Sequence, residues 1–171
     1  AATLMSGFND ISGIPASANN YTLTTILKVR WGHDGFVVSD WGSIENLIAQ
    51  GTAKDKKDAA RQAFLAGVEM CMVDNTYLEH LAALVEEGTV PQANLDEAVR
   101  RVLRLKFRLG LFDQPYVEEL PESERYYQPQ SMAIATQLAE ESMVLLKNEG
   151  AALPLSAAHS NIAVIGPLAQ E

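Results

Sequence analysis

Three short apolar segments recur along the chain at nearly equal spacing, and they constrain the fold more than any other feature. They cover residues 3–6, 36–39 and 69–73, and patterns typical of helices fill the intervals between them. A repeat of about thirty residues is the length of one strand–helix–strand unit. Alternating strands and helices favour parallel strands joined by helical crossovers, so the sequence predicts an α/β fold.

Four helices are predicted in the first two thirds of the chain. Periodic apolar residues place three of them at residues 22–29, 54–66 and 77–87. The fourth begins at Asn94, which has capping-box spacing to Glu97, and its apolar stripe consists of Leu95, Val99, Val102 and Leu103.

The fourth helix is rich in cations, which raises the question of a polyanion ligand. We expect these cations to pair within the helix instead, Asp96 with Arg100 and Glu97 with Arg101, since both pairs have i,i+4 spacing. The net charge of −9 also argues against nucleic acid, whose phosphates require a basic surface.

Composition excludes several further classes of site. No apolar run approaches the roughly 18 residues of a membrane span, so no membrane partner is predicted. Cys71 is the only cysteine, and we expect it to be a small buried apolar residue without a role. His33, His80 and His159 lack the spacing of metal ligands, so no metal site is predicted.

Residues 113–130 differ in composition from what precedes them. They hold three prolines and five acidic residues without an apolar period, which predicts a linker. A helix at residues 131–147 and a strand at residues 162–165 are predicted to follow, as the start of a second α/β unit. Both chain ends fall within apolar patterns, so we expect a piece of a longer polypeptide.

Asp40 directly follows the apolar segment at residues 36–39 and precedes Trp41. Ligands of parallel α/β folds bind beyond the C-terminal ends of the strands, which makes Asp40 a candidate reactive group. A carboxylate beside an aromatic ring suits a sugar, because the acid can attack or stabilise an oxocarbenium-like centre while the ring stacks on the pyranose. The alternative is that Asp40 or Ser43 only caps the next helix.

Several stretches in order resemble glycoside hydrolase family 3, the group of β-glucosidases, β-xylosidases and relatives. GFVVSDWG at residues 35–42 resembles the family's nucleophile segment, and LMSGFNDISGIPASAN resembles the preceding barrel strand. The last barrel strand and helix of the family resemble AGVEMCM and LDEAVRRVLRLKFRLGLFDQPY of this chain. The opening of the family's second domain resembles AEESMVLLKNEGAALPL together with NIAVIGPLA. The resemblance covers essentially the whole chain.

The resemblance implies a fold and an assignment of site residues. Residues 1–112 would be the C-terminal part of a (β/α)8 barrel of the TIM type, and residues 131–171 the start of an α/β sandwich domain. Asp40 would be the catalytic nucleophile, and Trp41, Met5 and Phe8 would line the sugar pocket. Many members carry Tyr at the position of Phe8. The family's general acid/base is usually a Glu of the second domain, which this chain does not contain.

The activity implied is that of a retaining β-glycosidase, in particular a β-glucosidase that uses no metal or organic cofactor. Its partners would be a β-glucoside or cello-oligosaccharide substrate and the remainder of the same polypeptide, with a homodimer left open. A bacterial member of this type favours a periplasmic or secreted location over a cytoplasmic one. Three alternatives stay open: a β-xylosidase or β-N-acetylglucosaminidase of the family, a non-catalytic carbohydrate-binding relative, and a barrel enzyme that uses Asp40 as a general base.

Overall fold

The computed structural model describes residues 1–158 and 161–169, so His159, Ser160, Gln170 and Glu171 lie outside the described residues. The chain divides into two units, Ala1–Val117 and Glu118–Glu171. Both strands and helices are present, and the predicted α/β class is confirmed. Among the described residues, no helix combines the length and apolar character that crossing a bilayer requires.

Two parallel strands organise the first unit. Strand β1 (Thr3–Met5) pairs with strand β4 (Phe36–Val38), and the register places Met5 opposite Val38. The hairpin that follows β1 consists of β2 (Asp10–Ile11) and β3 (Ile14–Pro15). The parallel direction agrees with the helical crossover predicted between the first two apolar segments.

The third predicted strand, at residues 69–73, does not form as a regular strand in the described part of the chain. It makes a single β-bridge, from Met70 to Val38, although its main chain runs beside β4. Ser39 N donates to the Met70 carbonyl at 2.8 Å. The ladder with β4 does not continue to Met72. Its N–H donates to the side-chain hydroxyl of Ser39, at 2.7 Å, instead of to a backbone carbonyl.

The first three predicted helices are confirmed, with ends that differ by at most two residues. They are a π-helix (Tyr21–Arg30), α2 (Lys56–Ala66) and α3 (Thr76–Glu86). A short helix that the sequence did not predict, α1 (Asn46–Ala49), follows β4, and a 3-10 turn (Ala16–Ala18) follows the hairpin.

Helix α4 (Gln92–Arg108) begins two residues before the predicted cap, so the prediction that Asn94 caps it is wrong. Pro91 occupies the N-cap position with φ −61° and ψ 136°, and its ring fixes φ so that the helix starts directly after it. Glu97 pairs with Arg101 as predicted, at 3.1 Å. Asp96 instead accepts a hydrogen bond from Gln92 at 2.8 Å.

Three arginines of α4 contact the loop that leads into β4: Arg101, Arg104 and Arg108. Arg101 donates to the carbonyls of His33 and Gly35 at 3.0 and 2.8 Å, and Arg108 pairs with Asp34 at 2.6 Å. These contacts engage Arg101, Arg104 and Arg108 within the protein, without a polyanion. Gly35 is required here, because a Cβ atom would lie 1.8 Å from the Ala2 carbonyl oxygen.

A buried carboxylate joins the elements at the N-terminal end of β4. Glu69 Oε2 accepts from Val37 N at 2.8 Å, and Oε1 accepts from Lys28 of the π-helix. The side chains of Glu69 and Lys28 are only 8% and 10% exposed. Burial lowers the pKa of Lys28, while the hydrogen bond with Glu69 acts in the opposite direction.

The apolar core of the first unit packs around helix α2. Ala59, Ala60 and Ala63 are fully buried, and the small side chains allow neighbouring elements to approach closely. At the end of α2, Phe64 meets Tyr77 edge to face with ring centroids 5.4 Å apart. The Tyr77 hydroxyl donates to the Val68 carbonyl at 2.8 Å, which satisfies its polar atom in the core.

The second unit contains two helices and a 3-10 turn (Glu149–Ala151) within the described residues. Helix α5 (Glu122–Arg125) lies in the segment predicted as a linker, and α6 (Pro129–Glu141) ends six residues before the predicted helix end. The Ser142 hydroxyl donates to the Ala139 carbonyl at 2.8 Å and competes with continuation of the helix. The predicted strand at residues 162–165 is not formed, because it has no neighbouring strand to pair with among the described residues of this unit.

We expect Glu69→Gln to lower the free energy of unfolding by about 3 kcal/mol, because it leaves the buried Lys28 without a countercharge. The measurement is denaturant unfolding of the polypeptide followed by tryptophan fluorescence. Glu87→Gln is the matched control, since the Glu87–Lys57 pair at 2.5 Å is exposed and its loss should cost about 0–1 kcal/mol. Equal losses in the two variants would contradict this role of Glu69.

Candidate active site

Asp40 lies just beyond the C-terminal end of β4, at the same edge of the sheet as the end of β1. The parallel register between Met5 and Val38 determines this placement, because both strands then end side by side. Ser39 is fully buried and Asp40 is half-buried. The structure therefore brings the predicted Asp40, Trp41 and Met5 to one edge of the sheet.

The two oxygens of the Asp40 carboxylate have different surroundings. Oδ1 accepts a hydrogen bond from Trp41 N at 2.7 Å, which fixes the orientation of the side chain. Oδ2 accepts no hydrogen bond from any residue that the structure describes. One oxygen is thus held by the main chain, and the other is available to a ligand.

The structure excludes the interpretation of Asp40 as a helix cap. A turn at residues 41–45 separates Asp40 from α1, and the N-cap position of α1 is Glu45, which makes no side-chain capping bond. Ser43, the other predicted cap, bonds through its hydroxyl to Ser17 at 2.9 Å. Neither side chain satisfies the first amides of α1.

The main chain around Asp40 is fixed on both sides. Its carbonyl oxygen accepts from the Ser39 hydroxyl at 3.0 Å and from Ser43 N at 3.1 Å. Gly42 N donates to the Met72 carbonyl at 3.1 Å, and Gly42 has φ +64°, a conformation that favours glycine. Five consecutive residues after β4 are therefore held by directional contacts.

Three serines that sequence reasoning did not assign to the site form a buried chain of hydroxyls. We call Ser6, Ser17 and Ser43 the serine chain. Ser17 Oγ lies 2.8 Å from Ser6 Oγ and 2.9 Å from Ser43 Oγ. Their only sequence signal is small polar residues at strand and turn ends, which is common in many proteins.

The predicted substrate-wall residues present apolar surface. Trp41 is 68% exposed, and Met5 and Phe8 are also exposed. The Phe8 carbonyl accepts from Gln50 Nε2 at 2.9 Å, which ties the segment after β1 to the end of α1. These three side chains are free to contact a ligand in the unit that the structure describes.

Cys71 and Asp74 form a polar contact that the sequence did not predict. The Cys71 thiol donates to Asp74 Oδ1 at 2.7 Å and is only half-buried. Burial, together with the Asp74 carboxylate, raises the pKa of Cys71 to about 12, so the thiol stays protonated and is a poor nucleophile. Burial opposes ionisation of Asp74, but hydrogen bonds from Cys71 and Thr76 hold its pKa below the ordinary value.

Other carboxylates near the turn are engaged. Asp74 Oδ2 accepts from Glu45 N at 3.3 Å, and the Glu45 side chain pairs with Lys56 at 3.1 Å. Within residues 1–158 and 161–169, no three histidine, cysteine or acidic side chains cluster as metal ligands would. Of the three carboxylates described around this turn, only Asp40 is bound by neither a side-chain donor nor a cation among the described residues.

The chain is similar to known glycoside hydrolases over most of its length. Residues 1–105 match the family model described as the glycosyl hydrolase family 3 N terminal domain. The periplasmic beta-glucosidase of Salmonella typhimurium is 40% identical over 174 residues, which cover 99% of this chain and 23% of that protein. A putative beta-xylosidase of Formosa agariphila is 34% identical over 170 residues, which cover 98% of this chain and 22% of that protein.

Solved structures agree with the sequence relatives. The beta-glucosidase from Listeria innocua in complex with glucose superposes with a TM-score of 0.76 at 39% identity. The superposition covers 89% of this chain and 21% of that one, so the chain spans about a fifth of the length of its relatives. A family model that matches residues 1–105, with relatives at this identity, shows that the chain belongs to glycoside hydrolase family 3.

Proposed function

We propose that the complete polypeptide containing this chain is a retaining β-glycosidase that removes terminal β-D-glucosyl residues, with Asp40 as its nucleophile. The observation that carries the proposal is the Asp40 carboxylate at the C-terminal edge of the sheet, with Oδ1 held by Trp41 N and Oδ2 open. The relatives named beta-glucosidases support the substrate class.

The proposed reaction has two steps at the anomeric carbon. Oδ2 of Asp40 attacks this carbon and forms an ester, while the bond to the leaving oxygen breaks and that oxygen takes a proton from a general acid. A water molecule then loses a proton to the same group and attacks the anomeric carbon, which releases the sugar and regenerates the Asp40 carboxylate. Two inversions give overall retention.

The general acid requires a carboxyl group that is protonated when substrate binds. Asp74 does not suit this role because its pKa lies below the ordinary value and both of its oxygens accept hydrogen bonds. Glu45 is engaged by Lys56. We therefore assign the general acid/base to a part of the polypeptide outside these 171 residues.

The proposed architecture follows the family. Residues 1–112 form the C-terminal part of a (β/α)8 barrel, residues 113–130 a linker, and residues 131–171 the start of an α/β sandwich domain. The parallel pairing of β1 with β4 and the bridge from Val38 to Met70 support three adjacent barrel strands. In barrels of this kind the active site lies at the C-terminal face, where Asp40 lies.

A β-xylosidase is the second candidate, because one relative of 34% identity is named a putative beta-xylosidase. The two activities differ only in whether the pocket accepts the hydroxymethyl group of glucose. A periplasmic or secreted location is proposed on the name of the Salmonella relative.

We expect Asp40→Gly in the complete polypeptide to lower turnover of an aryl β-glucoside by several orders of magnitude without unfolding the protein. Azide should restore turnover and yield the α-glucosyl azide, because the small anion enters the space that the carboxylate vacates and attacks from the same face. The measurement is product stereochemistry by proton NMR.

Asp34→Asn is the matched control for the nucleophile, since Asp34 lies at the opposite end of β4 and contacts Arg108. This variant should retain its turnover of the aryl β-glucoside, and azide should not increase that turnover. Restored turnover without an α-azide would support general-base catalysis and contradict a covalent intermediate on Asp40. Binding of glucose by a protein that turns over no glycoside would favour the non-catalytic relative.

We expect Trp41→Ala to weaken sugar binding by about 1–3 kcal/mol, since stacking on a pyranose buries aromatic surface. The exposed ring contributes little to folding, and the amide that donates to Asp40 is retained. The measurement is the inhibition constant of an iminosugar together with the melting temperature.

Trp31→Ala is the matched control for Trp41, because Trp31 is 72% exposed and precedes β4 instead of following it. Neither inhibition constant nor melting temperature should change much in this control. A fall in melting temperature of Trp41→Ala with unchanged binding would show that the ring packs in the fold and does not contact sugar.

A further inference from the structure

The serine chain connects the turn that carries Asp40 with the segment that carries the substrate wall. Ser17 is 1% exposed and Ser43 is 2% exposed, so their hydroxyls have little access to water. Buried hydroxyls cost free energy unless they are hydrogen-bonded, and here each finds its partner in another serine. The partners are 11 and 26 residues apart, so the chain joins three separate segments.

Each end of the serine chain is bonded to main chain next to a candidate site residue. Ser43 N donates to the Asp40 carbonyl at 3.1 Å. Ser6 directly follows Met5, and its N–H donates to the Val38 carbonyl at 3.0 Å. The central Ser17 therefore couples the position of the nucleophile turn to the end of β1.

The segment that holds Ser17 is itself fixed to the hairpin beyond Phe8. Ser17 belongs to the 3-10 turn, and Ala16 N of that turn donates to the Asn9 carbonyl at 3.0 Å. Asn19 Nδ2 donates to the Ile11 carbonyl at 3.2 Å. A displacement of the hairpin would thus be transmitted to Ser43 through Ser17.

We propose that Ser17 is a positioning residue for glycosyl transfer to Asp40, and this rests on the proposed function. Nucleophilic attack requires the carboxylate oxygen and the anomeric carbon at a defined separation, and an error of about 1 Å can cost about a hundredfold in rate. Hydrogen bonds are directional and fix distances, whereas small apolar side chains in the same space would pack without specifying them. The serine chain acts on the transfer step through the main chain of Asp40 and does not contact the sugar.

The test uses the complete polypeptide and a 2-deoxy-2-fluoro-β-glucoside with a good leaving group, which accumulates the glycosylated enzyme. We expect Ser17→Ala to lower the rate constant of inactivation about tenfold to a hundredfold while the inhibitor's dissociation constant changes little. Ser17→Thr retains the hydroxyl and should restore the rate. Peptide mapping of the labelled parent protein identifies the residue that carries the sugar.

Thr24→Val is the matched control, because Thr24 also donates through a hydroxyl to a distant carbonyl, that of Ala66, at 2.8 Å. It should lower the melting temperature as Ser17→Ala does and leave the inactivation rate unchanged. If Ser17→Thr does not fold, Ser43→Ala and the double variant Ser17→Ala/Ser43→Ala provide the test. Both should lower the rate constant of inactivation about as much as Ser17→Ala alone does, since all three variants interrupt the same serine chain.

Two outcomes separate this inference from the proposed function. A label on Asp40 with equal inactivation rates in Ser17→Ala and Thr24→Val would show that the serine chain is only structural and would overturn the inference alone. A label on a residue other than Asp40 in the parent protein would overturn the proposed function and, with it, the inference.

Discussion

The main chain of strand β4 is hydrogen-bonded on both sides, and the candidate site depends on this constraint. On one side β4 pairs with β1, and on the other its carbonyls and amides meet residues 69–72. Glu69 adds a buried carboxylate that accepts from Val37 N. Because β4 cannot shift relative to either neighbour, the residue that follows it, Asp40, has a defined position at the edge of the sheet.

The two ends of β4 are stabilised by different chemistry. Charged groups gather at the N-terminal end, where Glu69 meets Lys28 and Arg101 binds backbone carbonyls. Neutral hydroxyls and amides hold the C-terminal end, where a backbone N–H is the one hydrogen-bond donor to the Asp40 carboxylate among the described residues. The buried ion pair therefore lies away from the Asp40 carboxylate.

Periodicity in the sequence predicted the first three helices and the two strands that pair in parallel, because apolar spacing directly reflects burial. It wrongly predicted regular strands at residues 69–73 and 162–165. It could not locate the start of α4, where Pro91 and not Asn94 sets the boundary. It also could not predict the serine chain, since contacts across 11 and 26 residues arise only when the fold is complete. The local sequence allowed two interpretations of Asp40, as a helix cap or as a reactive group. The family resemblance favoured the reactive group, and the geometry excluded the cap.

The most direct test of Asp40 as the nucleophile is a crystal structure of the complete polypeptide trapped with a 2-deoxy-2-fluoroglucosyl group. We expect continuous electron density from the anomeric carbon to Oδ2 of Asp40, an α-configured ester, and Oδ1 still accepting from Trp41 N. A sugar bonded to another residue, or a sugar held near an unmodified Asp40 after full inactivation, would contradict this role of Asp40.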